Sequence, residues 1–337
     1  MSYAEQTQWQ VIQAFLPPTY RIDATNAPKE EYWPWRGHQV HLDRYANPTA
    51  PARVILFHGV GTNGRQMSTI VGLPLARLGL ETVAIDMPGY GETKVAAGAQ
   101  VRYDTWVELA NAFIEHERAR DPRPIFLYGL SAGGMLTYHA AALNGHVAGI
   151  VGMTFLDQRV ARVREQTALF PLMGRLGIPM IHAFARTPLA GLKMPMWLAS
   201  KMHTLVNDRA ALKACLNDRT SAGNWASLRF LSSYLGYAPA IEPEAFEVCP
   251  VLLTQPAADR WTPLALSQPF LQRLGRVEVT TCMLENAGHY PLEEPGLGQM
   301  NQAILEFVER TLARQEAWRH RQARSPNAAG PQGAASR

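Results

Sequence analysis

Six short apolar runs rich in Val and Ile recur along the chain: Arg53 to Phe57, Thr82 to Ile85, Pro124 to Tyr128, Val147 to Met153, Pro250 to Thr254 and Val277 to Leu284. A strand with one solvated face alternates apolar and polar residues. Continuous apolar strands must instead be covered on both sides, as in a parallel sheet. Stretches with helical spacing separate the runs, at Thr69 to Leu78, Thr105 to Arg118, Met135 to Leu143, Ser267 to Leu274 and Gln299 to Leu312. This alternation predicts an α/β architecture, a mostly parallel central sheet with helices on both faces and right-handed crossovers. Upstream, His38 to Tyr45 alternates in character and predicts an added edge strand, hairpin-paired with Tyr20 to Asp23.

The alternation stops between Gln158 and Val248, where the sequence offers helical segments rich in Met, Leu, Trp and Ala but no strand pattern. Residues 158–248 therefore read as a helical cap inserted into a core made of 1–157 and 249–318. Within it, Leu192 to Met202 is soft and apolar, and Met194, Met196 and Trp197 either pack the cap on the core or form an adaptable wall for an apolar substrate group. Residues 319–337 are rich in Arg, Ala, Gly, Pro and Gln without periodicity and read as a disordered basic tail.

With 337 residues, 47% hydrophobic and 18% charged, the chain can bury a large core in one domain with an insertion or in two domains. Its net charge of +4 is concentrated at the end, where Arg310, Arg314, Arg319, Arg321, Arg324 and Arg337 face Glu316 alone. The body is close to neutral, so nucleic acid is not an expected partner. Cys215, Cys249 and Cys282 are odd in number and lack C-x-x-C spacing, which fits reduced thiols in a cytoplasmic protein. The start, Met1 to Gln6, lacks a basic segment followed by an apolar run, and no apolar stretch is long enough to span a bilayer. The expected protein is soluble and intracellular, and a homo-oligomer is left open.

Chemistry enters at Tyr128-Gly129-Leu130-Ser131-Ala132-Gly133-Gly134, which reads as strand, sharp turn and helix. Gly, Ser and Ala are common turn residues, so the pattern alone is equally an ordinary turn. If it is a nucleophile elbow, Ser131 is exposed at the amino end of a helix, with Gly129 and Gly133 allowing strand and helix to approach. An activated serine needs a base, a group that orients the base, and donors aimed at the oxyanion. Among ten histidines, His289 directly follows the last strand and is the expected base, while His320 lies in the tail. Asp259, in the loop after the strand Pro250 to Thr254, is the expected orienting acid, with helix capping as its structural alternative and Asp157 as a rival carboxylate. The glycine-rich turn His58 to Gly64 can point the Val60 N–H into the site beside that of Ala132. His58 reads as a turn-packing residue, and Asp86 as a strand-end residue holding the next turn.

Taken together, His58-Gly59, Asp86 to Thr93, the Ser131 elbow, the Asp259 loop and Ala287-Gly288-His289-Tyr290-Pro291 resemble the α/β-hydrolase superfamily, specifically its capped esterase, lysophospholipase and aminopeptidase-like branch, over about residues 38 to 315. The family often has Ser where Thr93 stands, a minor departure at a turn. The resemblance implies an α/β-hydrolase fold and a triad in the order Ser131, Asp259, His289. It also implies a carboxylic ester with a hydrophobic acyl or alcohol part as substrate, with no metal or organic cofactor required. Thioesters, amino-terminal amides and carbon–carbon bonds flanked by ketones use the same machinery on this fold. Trp261, beside the acid, and Tyr290, beside the base, are expected to line the pocket or pack the loops. Two rivals remain. Gly59 to Gly64 satisfies G-x-G-x-x-G with Asp86 closing the next strand, as in a dinucleotide-binding oxidoreductase, and a non-catalytic relative would keep the fold only to bind a ligand.

Overall fold

The computed structural model describes residues 2–324. Eight strands form the main sheet: β1 (Lys29–Trp35), β2 (His38–Tyr45), β3 (Arg53–Phe57), β4 (Glu81–Ile85), β5 (Ile125–Gly129), β6 (Gly149–Gly152), β9 (Val251–Pro256) and β10 (Val279–Leu284). Two more, β7 (Lys193–Pro195) and β8 (Trp225–Ser227), pair apart from it as an antiparallel ribbon. The main sheet runs in the order β1-β2-β4-β3-β5-β6-β9-β10. From β4 to β10 all neighbours are parallel, whereas β2 is antiparallel to both β1 and β4. Every residue of β3, β4, β5, β6 and β9 is buried, as continuous apolar strands require.

The hairpin partner of β2 differs from expectation, since it is Lys29–Trp35 rather than Tyr20 to Asp23. Arg36 and Gly37 both have positive φ, 46° and 80°, the signature of a two-residue turn whose twist matches its strands. The charge and proline of Lys29-Glu30-Glu31-Tyr32-Trp33-Pro34-Trp35 hide a strand that is viable because it lies at the edge. The strand order also changes direction at β3. The chain leaves β3 for β4 on one side and returns past it to β5 on the other, so the carboxyl ends of β3 and β5 flank a crevice at a switch point.

Helices form two groups. Tyr103–Arg120 packs on Ala132–Asn144, and Gly296–Arg324 packs on Leu73–Arg77. The helix after β3 widens into a π-type turn at Ser68–Gly72, just before Pro74. Proline has no N–H for the Ile70 carbonyl one turn back. Asn301 Nδ2 supplies it, at 2.9 Å. The long helix Gly296–Arg324 extends past the expected boundary at 318 into the stretch read as an unstructured tail, whose residues 325–337 lie outside the described residues.

Between β6 and β9 the chain adds nothing to the main sheet. It folds into the helices Ala161–Thr167, Ile178–Phe184, Arg209–Asn217 and Leu228–Leu235 with the β7–β8 ribbon among them. That ribbon corrects the expectation of a strand-free insertion, because three-residue strands are too short to show a period. This helical layer is tied to the sheet loops by bonds such as Tyr290 N–H to Leu205 O (2.7 Å), Asn63 Nδ2 to Thr220 Oγ1 (3.1 Å) and Trp261 Nε1 to Thr167 O (3.2 Å). Among the described residues no helix is long and apolar enough to cross a membrane, and the three cysteines are free thiols.

Candidate active site

Ser131 sits between β5 and the helix Ala132–Asn144 with φ 56° and ψ −120°. An L-residue held there costs on the order of 1–3 kcal/mol, which the surrounding structure must supply. The small residues explain how it does so. A Cβ on Gly129 would lie 2.0 Å from the Gly133 carbonyl oxygen, so β5 and the helix approach as closely as they do only because that position lacks a side chain. Ser131 is 8% exposed and lines a cavity between the sheet loops and the helical layer.

Asp259 and His289 follow β9 and β10, respectively, and meet beside Trp261 and Thr262, which line that cavity. His289 Nδ1 lies 2.9 Å from Asp259 Oδ2, which also accepts the Thr262 hydroxyl at 2.7 Å. The other carboxylate oxygen, Oδ1, accepts the N–H groups of Trp261 (2.7 Å) and Thr262 (2.9 Å). Capping and orientation are therefore both present, one oxygen serving each. Burial pushes the Asp259 carboxyl upward, but the His289 charge and the bonds from His289 and Thr262 outweigh it and hold the pKa down at about 2. An ionised Asp259 fixes the His289 proton on Nδ1 and leaves Nε2 as an acceptor. Nε2 is buried and has no hydrogen-bond partner. The Trp261 ring packs against the imidazole at 4.7 Å between centroids.

The glycine turn after β3 is fixed by His58. Its Nε2 accepts the Met87 N–H at 3.0 Å, so Nδ1 carries the proton and donates to the Gly59 carbonyl at 2.8 Å. A trans peptide points its N–H opposite to its C=O, so anchoring the Gly59 carbonyl on His58 turns the Val60 N–H away from it. Among the described residues neither the Val60 nor the Ala132 N–H has a protein acceptor. Gly59 abuts the elbow, where an added Cβ would lie 2.8 Å from Leu130 O and 2.9 Å from Ser131 Cβ. Val60 and Ser131 line the same cavity.

Asp86 holds the turn from the other side. It accepts Gly64 N–H at 2.6 Å, Glu92 N–H at 2.9 Å and the Tyr3 hydroxyl at 2.9 Å, and pairs with His41 Nδ1 at 2.9 Å. The helix terminus that a pyrophosphate would need is thus filled by the protein's own carboxylate, which removes the geometric basis of the dinucleotide reading.

Asp157, the rival acid, is held instead by Arg159 at 2.9 Å and faces Arg273 at 3.7 Å. Trp261, Met194 and Met196 line the cavity. Two residues that the sequence left open between pocket wall and packing do not. Trp197 is 53% exposed, because the single turn Met196–Ala199 faces Met196 inward and carries its neighbour about 100° round to solvent. Tyr290 is fully buried on the opposite side of the His289 turn, beside Thr69, Trp9 and Ile12. Sequence reading missed Thr262, whose hydroxyl also lies 3.0 Å from His289 Nδ1, and Arg164, Gln158 and Tyr234 in the cavity wall. The Asp-x-x-Thr spacing was the available signal for Thr262.

Residues 48–296 match the serine aminopeptidase S33 family. The chain belongs to that family. Its fold is that of a monoacylglycerol lipase from Paleococcus ferrophilus (19% identical, TM-score 0.62, covering 82% of this chain and 99% of that one). It is also that of a soluble variant of monoglyceride lipase from Saccharomyces cerevisiae, solved with a substrate analogue (16%, TM-score 0.67, 88% and 98%). A curated relative, protein phosphatase methylesterase 1 of Mus musculus, is 29% identical over 104 residues, 31% of this chain and 27% of its own length. The match thus spans about a quarter of that relative. Family and fold make this S33 member an α/β-hydrolase enzyme.

Proposed function

We propose that the protein is a serine hydrolase that cleaves a carboxylic ester of a small, largely hydrophobic molecule through an acyl-enzyme intermediate. The observation that carries the reading is the pairing of Asp259 with His289 at 2.9 Å while His289 Nε2 stays buried and unpaired, together with Ser131 on a strained turn in the wall of a cavity that Trp261 and Thr262, the neighbours of that pair, also line. In the first half-reaction Ser131 Oγ attacks the acyl carbon and His289 Nε2 takes its proton. The Val60 and Ala132 N–H groups receive the oxyanion, each contributing roughly 10²- to 10³-fold. Collapse of the tetrahedral species breaks the bond to the alcohol oxygen, which leaves with the proton from His289. A water then repeats the sequence, giving up a proton to His289, and releases the acid and free Ser131. Asp259 stays ionised throughout, and Thr262 positions it.

The cavity wall separates this reading from peptide-end cleavage, which the family name would suggest. Capture of a substrate's free α-amino group calls for a carboxylate, but the residues lining the cavity include Arg164 and no Asp or Glu. The names of the relatives, monoacylglycerol lipase and methylesterase, also describe ester cleavage. Labelling by a fluorophosphonate probe, lost in Ser131→Ala, tests the nucleophile. Absence of labelling while a control serine hydrolase reacts would sink the proposal and favour a non-catalytic relative. A chain-length series of p-nitrophenyl esters beside acyl-CoA and aminoacyl-anilide substrates then ranks the bond types.

A further inference from the structure

The cavity over Ser131 is apolar along most of its wall, through Met173, Ile178, Ile181, Met194 and Leu231, yet it contains one cation, Arg164. Its guanidinium is half satisfied. Nη1 donates to the carbonyls of Gln158 (3.1 Å) and Arg159 (2.6 Å), whereas Nε is buried with no partner and Nη2 makes no hydrogen bond among the described residues. Neighbouring acids do not neutralise it. Asp157 and Glu242 are held by Arg159 at 2.9 and 2.6 Å, and Glu165 by Arg175 at 2.6 Å. A guanidinium is never deprotonated in a protein, and a partly desolvated charge without a counter-ion is costly. The two carbonyls on Nη1 fix the group and leave its Nε–Nη2 edge without a protein acceptor among the described residues. That edge offers two parallel N–H donors, the geometry that a carboxylate accepts with both oxygens.

We propose that Arg164 binds a carboxylate at the far end of the substrate, so that the preferred ester is an apolar molecule ending in an anion, such as a half-ester of a dicarboxylic acid. This rests on the hydrolase reading above and narrows it. The apolar wall holds the body of the molecule while Arg164 holds its end, which selects against neutral esters of equal length. Arg164 acts in binding and takes no part in the proton transfers.

The test compares matched p-nitrophenyl esters of monocarboxylic acids and half-esters of dicarboxylic acids, together with a second pair of series carrying the carboxylate on the alcohol. Wild-type kcat/KM should favour a charged ester over its neutral match at the best length. Arg164→Gln should lower that charged-to-neutral ratio by roughly 10- to 100-fold, the worth of a charge-assisted pair. Arg164→Lys, which keeps the charge but not the fork, should fall between. A ratio within twofold of wild type in Arg164→Gln overturns the proposal, whatever happens to absolute rates. A second readout does not need turnover. Methyl half-esters should raise the Tm of the Ser131→Ala protein but not that of Ser131→Ala/Arg164→Gln. Equal shifts in both refute the Arg164 role, whereas a differential shift in a protein that cleaves no ester would uphold the carboxylate site and refute the hydrolase reading instead.

Discussion

Replacing Asp259 by Asn changes one atom and should disable the site through the tautomer of His289. Asp259 Oδ1 is committed to two backbone N–H groups at 2.7 and 2.9 Å, so the Asn oxygen keeps that place and its NH2 replaces Oδ2. The NH2 then faces His289 Nδ1, 2.9 Å away, and can only donate to it. The imidazole must place its proton on Nε2, the atom proposed to accept from Ser131. A wrong-tautomer base costs about 10⁴ in kcat, or about 5 kcal/mol of transition-state stabilisation. The effect on folding is smaller. Holding the carboxyl near 2 instead of its ordinary 3.8 is worth about 2 kcal/mol. Because that pKa is depressed in the folded state, the stabilisation is complete above the unfolded value, near 4, and fades as pH falls toward 2. Steady-state kinetics on a p-nitrophenyl ester should therefore show a collapse in kcat with a cooperative fold retained. The gap in Tm between wild type and variant should close between pH 5 and pH 2. A kcat within tenfold of wild type would show that Asp259 does not orient the base.

Three further outcomes follow from neighbouring contacts. Thr262→Val removes the hydroxyl that touches both Asp259 (2.7 Å) and His289 (3.0 Å), and should lower kcat by about tenfold with restoration in Thr262→Ser; failure of Ser to restore would make the role one of packing. Gly59→Ala forces a Cβ against Leu130 O and Ser131, which should displace the Val60 donor and reduce the rate of fluorophosphonate labelling by roughly 10- to 100-fold while circular dichroism is unchanged; labelling within threefold would mean that Val60 is not a donor. Burial pushes the His41 pKa down, but bonds to Asp86 and Glu30 outweigh it and raise it to about 10. Its contribution is thus full below the unfolded value near 6.5 and is lost as pH rises toward 10, so Tm should decline across that interval in wild type more steeply than in His41→Gln. Parallel slopes would contradict a charged His41.

What could be read from the sequence was whatever a short window contains. Strands β3 to β6 and β9 announce themselves because both their faces are covered, so five consecutive residues suffice. The Ser131 turn is equally local, since Gly129 and Gly133 must be small for strand and helix to touch. Strand β1 was illegible because an edge position tolerates Pro34 and charge, and the choice between pocket wall and packing stayed open for Trp197 and Tyr290 because adjacency along the chain says nothing about which way a side chain turns. Arg164 could not be read at all. Its significance lies in the commitments of its neighbours, Glu165 to Arg175 and Asp157 to Arg159, and no window reveals which acid a given arginine will hold.

The same limit explains why Asp86 and His58 looked merely structural. Each does hold a turn, but the turn they hold carries the Val60 N–H. His58 clamps the Gly59 carbonyl, and Asp86 clamps Gly64 at the other end of the loop. A buried carboxylate can serve as such a clamp only if its charge is compensated, and here His41 Nδ1 and the Tyr3 hydroxyl surround it. Arg65 lies over the Tyr3 ring at 4.7 Å and pairs with Asp43, continuing the compensation outward. The direction of one backbone donor beside Ser131 therefore depends on residues 3, 41, 58 and 86, drawn from four separate segments. Packing the amino-terminal segment against β2 and the β4 loop belongs to the construction of the proposed site, although none of those residues lines the cavity.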